Sequence, residues 1–118
     1  NHGLVSGPIK QISYESLYQA YINNDITKAI VIGGLEPMLQ IDEVVGLIHY
    51  FREKSCQDTF VIYTGYYPYE IPKPLSELKK LHNITIKYGR YDPNLKARYD
   101  DVLGVMLASE NQYGEVLS

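Results

Sequence analysis

From Tyr14 onward the apolar positions fall at helical spacing. Tyr14, Leu17, Tyr18, Tyr21 and Ile22 make one stripe, Ser13 stands before it as an N-cap, and the segment Asn23 to Asp25 ends it. Lys28 to Ile32 is then a short run rich in β-branched residues, the pattern of a strand buried on both faces. A second amphipathic segment follows the glycines at 33 and 34. Ile41, Val44, Val45, Ile48 and Phe51 share a face, with Asp42 and Glu43 near the start and Arg52 and Lys54 near the end, a charge order that suits a helix dipole. Phe60 to Gly65 predicts the next strand and its stop. After a Tyr- and Pro-rich loop, a short helix is expected around Leu75 to Leu81, and Ile84 to Gly89 predicts a third strand closed by glycine. The first dozen residues have no period and are read as an extended lead-in. Val102 to Ala108 fits either a strand or a helical turn.

Strands alternating with helices point to an α/β fold with a parallel sheet. In such sheets ligands collect at the carboxyl ends of the strands. The Gly33–Gly34, Thr64–Gly65 and Tyr88–Gly89 turns should therefore lie together on one edge. At 118 residues the chain fits a single domain, residues 1–118. Hydrophobic residues make up 45% of it, enough for a core. The net charge of −3 and the absence of a basic block argue against nucleic acid or an anionic membrane as partner. No apolar run approaches the ~20 residues of a membrane span. The single cysteine, Cys56, forms no internal disulfide, and a reducing, cytoplasmic setting is the expectation.

Gly33 and Gly34 let another molecule approach the main chain closely. Unpaired carbonyls at the broken strand end suit a ligand ammonium, to which the Glu36 carboxylate would add a charge-assisted contact. Pro37 fixes the backbone at the start of the next segment. The plain alternative is a tight β-to-α connection with Glu36 solvated. GxGxxG spacing is missing, and so is a Lys–Ser/Thr pair after the glycines, so neither a dinucleotide fingerprint nor a P-loop is supported. Cys56, at a helix end with no histidine beside it, reads as a packed or surface thiol. His2, His49 and His82 follow no ligand spacing. Asp100 caps the turn before Val102 more readily than it pairs with Asp101. Lys96 and Arg98 belong by default to a solvated loop, with contact to a partner or a phosphate as the alternative. Tyr63, Tyr66, Tyr67 and Tyr69 form either a docking surface or the roof of a ligand pocket.

The stretch GGLEP at Gly33–Pro37, after an apolar strand, resembles the GGEP-type motif of radical S-adenosylmethionine enzymes. The blocks ITKAIVIGGLEP, DEVVGLIHYFREK, VIYTGYYPYEI and IKYGRYDPNLKARYDDVLGVMLASENQY, in that order, resemble the 4Fe-4S activating proteins of anaerobic ribonucleoside-triphosphate reductases. The likeness runs from about Ile12 to Ser118, and ENQY at 110–113 stands where that family has a Ser-Asn-Gln type ending. It implies a partial parallel (βα) barrel of radical SAM type, truncated at its N-terminus and open on one side. It implies a 4Fe-4S cluster and S-adenosylmethionine as cofactors, a glycyl radical as product, and the large subunit of an anaerobic ribonucleotide reductase as partner. By position, Gly33, Gly34 and Glu36 would meet the methionyl ammonium and Pro37 would shape that turn. Thr64 and Gly65 would lie near the ribose or the methionyl carboxylate.

That family holds its cluster with cysteines spaced CxxxCxxC before the first helix, and this sequence has none there. Either the chain starts after the cluster loop of a longer protein, or it is a homologue that lost the cluster. On both views these residues do not run radical chemistry alone. The rival from another class is a non-catalytic α/β protein-interaction module, with GGLEP a mere turn. A flavodoxin-like binder is disfavoured by the missing phosphate loop.

Overall fold

The computed structural model describes residues 3–5, 13–23 and 29–118. Seven strands and three helices are present among them: β1 (Gly3–Val5), α1 (Tyr14–Ile22), β2 (Ala29–Ile32), α2 (Ile41–Glu53), β3 (Thr59–Tyr63), α3 (Pro72–Lys79), β4 (Ile84–Tyr88), β5 (Arg98–Asp100), β6 (Val105–Leu107) and β7 (Tyr113–Val116). Ser13 caps α1 as its sequence suggests, its hydroxyl accepting from the Ser16 amide. Asp42 and Glu43 open α2 and Arg52 closes it. The apolar stripe of α2 is buried at Val44, Leu47, Ile48 and Phe51, whereas Ile22, at the end of the α1 stripe, is 45% exposed.

The main sheet runs β1-β2-β3-β4-β7, and a separate two-stranded hairpin joins β5 to β6. β1 to β4 are parallel and β7 is antiparallel to β4. The sheet is thus mixed, which corrects the expectation of parallel strands throughout. It is also not closed into a barrel among the described residues. β1 corrects a second expectation: residues 3–5 were read as part of an unpatterned lead-in but pair in register with β2. Lys28, the expected start of β2, lies outside the described residues, as do His2 and most of the lead-in. The region from 102 to 108 resolves as a turn followed by the strand β6.

Strands that add in chain order through right-handed crossovers keep their helices on one side. The packing agrees with this. Ile30, Ile32, Phe60, Ile62, Ile84 and Ile86 form a single core with Tyr21 of α1, Phe51 of α2 and Leu78 of α3. Alternation along each strand sends Ala29, Val31, Thr59, Val61, Thr85 and Lys87 to the opposite face. That face carries no helix among the described residues. The β5–β6 hairpin covers part of it, leaving a cavity of about 310 Å3 beneath Val102, Leu103 and Val105. This winding is unlike a flavodoxin-like sheet, whose strand order reverses at a switch point.

Candidate functional site

Three of the parallel strands end in glycine turns, and the structure brings the turns to one edge. Gly34, Gly65 and Gly89 all line a cleft of about 280 Å3, together with Glu36, Tyr63, Thr64, Lys87, Arg90, Tyr91 and Gln112. Gly34 has φ +87° and Gly89 φ +100°, conformations that L side chains rarely adopt. Gly33 itself is buried, and Gly34 is the exposed member of the pair.

Glu36 is the hub of this edge. Its Oε2 accepts from the Met38 amide at 2.9 Å and from the Thr64 hydroxyl at 2.8 Å, and its Oε1 accepts from the Gly65 amide at 2.8 Å. The first bond caps the 3-10 turn Pro37–Gln40, where Pro37 has no amide to satisfy. The other two tie the end of β2 to the end of β3. A carboxylate offers about four acceptor positions, so the clamp leaves one direction on Oε1 open. Thr64 is buried, and its oxygen also accepts from the Tyr66 amide. Gly33, Gly34, Glu36, Pro37, Thr64 and Gly65 therefore form one connected structure.

The cations of the cleft stand on β4 and just beyond it. Lys87 projects from the helix-free face, with its ammonium 5.3 Å from the Tyr63 ring centroid. That ammonium makes no hydrogen bond or ion pair with the described residues, and burial holds its pKa below the ordinary lysine range. Arg90 lies over the Tyr66 ring at 5.6 Å and pairs with Glu70 at 3.3 Å. Neither was singled out from the sequence. The signal for Lys87 was available, since a lysine in the run ITIKY must face away from Ile84 and Ile86. Gln112 was also missed as a cleft residue. It is buried, donates from Nε2 to the Gly89 carbonyl at 3.2 Å, and accepts on Oε1 from the Ser109 amide.

The tyrosine group divides. Tyr63 and Tyr66 face the two cations, while Tyr67 and Tyr69 stack at 6.1 Å with Tyr69 80% exposed. Asp100 caps the following turn, accepting on Oδ2 from the Leu103 amide, and also holds Arg98 and the Gly114 amide through Oδ1. Arg98 is thus engaged internally, while Lys96 is exposed. His49 and His82 are exposed. Cys56 is half-buried just ahead of β3, at the amino edge of the sheet and across it from the cleft.

The 4Fe-4S single cluster domain family matches residues 5–112, nearly the whole chain. The chain belongs to that family. No curated protein and no solved structure matches it. Clusters of this kind are held by cysteine thiolates. The chain contains one cysteine, and no group of three or more His, Cys, Asp and Glu among the described residues is arranged to hold a metal ion. With one thiol in the sequence, the described residues do not make a ligand set for the family's cluster. No helix among the described residues is long and apolar enough to cross a membrane.

Proposed function

We propose that the chain is the S-adenosylmethionine-binding part of a domain similar to the activating proteins of anaerobic ribonucleotide reductases, and that it receives the amino acid end of that ligand in the carboxyl-edge cleft. The observation that carries this reading is the convergence of Gly34, Gly65 and Gly89 on a cleft holding charges of both signs, Glu36 and Lys87. A zwitterionic headgroup needs that pairing. Its ammonium turns to the carbonyls of the Gly33–Gly34 turn and the open direction on Glu36, and its carboxylate turns to Lys87. Pro37 and Thr64 hold Glu36 in place, and Gly65 keeps the wall free of a side chain. The single winding of β1 to β4, with its helix-free face, supports a half-barrel open toward the large subunit of the partner reductase. The chain's own contribution is to bind and orient; the cluster that cleaves the sulfonium is not held by these residues.

Titration calorimetry of the chain with S-adenosylmethionine and with L-methionine tests this. Saturable binding is expected for both. Lys87→Met and Glu36→Gln should each weaken it about tenfold, equivalent to ~1.4 kcal/mol. Absence of heat at millimolar ligand, or unchanged affinity in both variants, overturns the proposal. The interaction-module reading has its own support in Leu35, Leu39 and Tyr69, which are 55%, 76% and 80% exposed, Leu39 and Tyr69 in the short 3-10 turns that follow β2 and β3. Failure of the titration favours it.

A further inference from the structure

The segment Asn111–Gln112 lies far along the chain from the glycine turns, yet it grips the third of them from two sides. Gln112 is 4% exposed, and its Nε2 donates to the Gly89 carbonyl. Asn111 donates from Nδ2 to the Arg90 carbonyl at 2.7 Å and to the Tyr67 hydroxyl at 2.7 Å. Packing reinforces the hydrogen bonds, because a Cβ on Gly89 would stand 3.2 Å from the Asn111 carbonyl oxygen. The turn is held from its other side by the Gly89 amide, which donates to the Tyr66 carbonyl. Glycine takes the positive φ at Gly89 without steric cost, so the place of this turn in the wall is set by its hydrogen-bond partners, two of which are these amide side chains.

We infer that Asn111 and Gln112 are positioning residues that latch the Gly89–Arg90 wall of the cleft, and that the latch sets the affinity of the cleft for a charged headgroup. The affinity half of this rests on the proposed function; the latch itself does not. The geometry gives the reason for two amides in sequence. Each carbonyl of the turn needs a donor, and each side chain supplies one. Gln112 uses its remaining oxygen on the Ser109 amide, which fixes its direction. Replacing it with an acceptor-only group of the same shape would leave the Ser109 bond and put an oxygen against the Gly89 carbonyl.

Gln112→Glu and Gln112→Met separate these bonds. The first keeps the acceptor for Ser109 and loses the donor for Gly89; the second loses both while keeping the side-chain shape. Tyr88→Phe serves as the structural control, since it removes the Tyr88–Glu115 hydrogen bond between β4 and β7 and leaves the bonds to the Gly89 and Arg90 carbonyls in place. Hydrogen exchange read without ligand should speed about tenfold at the Gly89 amide in both Gln112 variants. The Gly65 amide, held by Glu36, should keep its rate, and Tyr88→Phe should leave both unchanged. Calorimetry with S-adenosylmethionine should show affinity falling about tenfold in the Gln112 variants alone. Unchanged exchange at Gly89, or acceleration only in step with all of β4, overturns the latch. A released Gly89 with undiminished binding overturns its claim on affinity. If the parent chain binds no ligand while Gly89 responds as expected, the latch stands and the ligand reading fails.

Discussion

Glu36 does two things that pull against each other. Three of its acceptor positions hold the ends of β2 and β3 together, and only what remains is available to a ligand. Glu36→Gln turns one oxygen into a donor facing the Gly65 amide, or facing Thr64 and the Met38 amide, and so leaves one of these amides without its acceptor. The expected cost is about 1–3 kcal/mol, read from urea unfolding. Lys87 has the opposite character. Its amine is held on a half-buried face with no counter-ion among the described residues, and burial depresses its pKa. A depressed lysine costs stability while charged, and that cost is relieved only as pH rises through its folded pKa toward the ordinary value near ~10.4. At neutral pH Lys87→Met should therefore raise the urea midpoint without changing its slope, even as it weakens anion binding. A rise in the midpoint would give Lys87 the pattern of a functional-site residue, one that lowers stability where it serves the cleft. A fall in the midpoint would show that the Tyr63 contact outweighs desolvation.

The β5–β6 hairpin is fastened at Asp100, and that contact carries a pH signature. Burial by itself would raise the Asp100 carboxyl, but the Gly114 and Leu103 amides and the Arg98 guanidinium outweigh it and hold its pKa low. A carboxylate with a lowered folded pKa contributes stability above its unfolded value, near ~3.9, and loses it as pH falls through the folded value. The stability of the parent chain should thus fall as pH drops below about 4. Asp100→Asn should be less stable at pH 7, by about 2–4 kcal/mol, and flatter against pH. Gly114 sits under the same contact, where a Cβ would stand 2.6 Å from Leu103 and 2.8 Å from Asp100. The helices were legible from their apolar stripes, although α3 begins at Pro72, ahead of the expected Leu75, and ends at Lys79; β2 to β4 were legible as short runs rich in β-branched residues, each followed closely by glycine. β5 and β7 were not. RYD and YGEV are short and polar, YGEV contains a glycine, and both are fixed by tertiary partners: Arg98 and Asp100 by residues 112 to 114, Tyr113 by the Tyr88 ring at 5.2 Å. For the site, the glycine turns and Glu36 were legible because strand ends in a parallel sheet share an edge. Lys87 and Gln112 were hidden because their roles depend on which face and which distant turn they meet.

At the scale of the molecule the two edges of the sheet have different chemistry. The carboxyl edge gathers the glycine turns, Glu36 and two cations. The amino edge is closed by Arg52, whose guanidinium donates to the Cys56, Asp58 and His82 carbonyls. The lone thiol belongs to that second edge, so even as one ligand among several it would not bring iron to the cleft. The family is defined by a 4Fe-4S cluster, yet this chain offers one of the thiolates such a cluster needs. Binding and cluster assembly should therefore separate cleanly here. Anaerobic treatment of the 118-residue chain with iron and sulfide, followed by desalting, should leave well under one iron per chain and no broad iron–sulfur absorbance. S-adenosylmethionine affinity should be the same before and after that treatment, because Glu36, Lys87 and the glycine turns hold their places without metal. Retention of about four irons per chain, or ligand binding that appears only after reconstitution, would mean that the headgroup site is organised by the cluster and not by the clamp between β2 and β3.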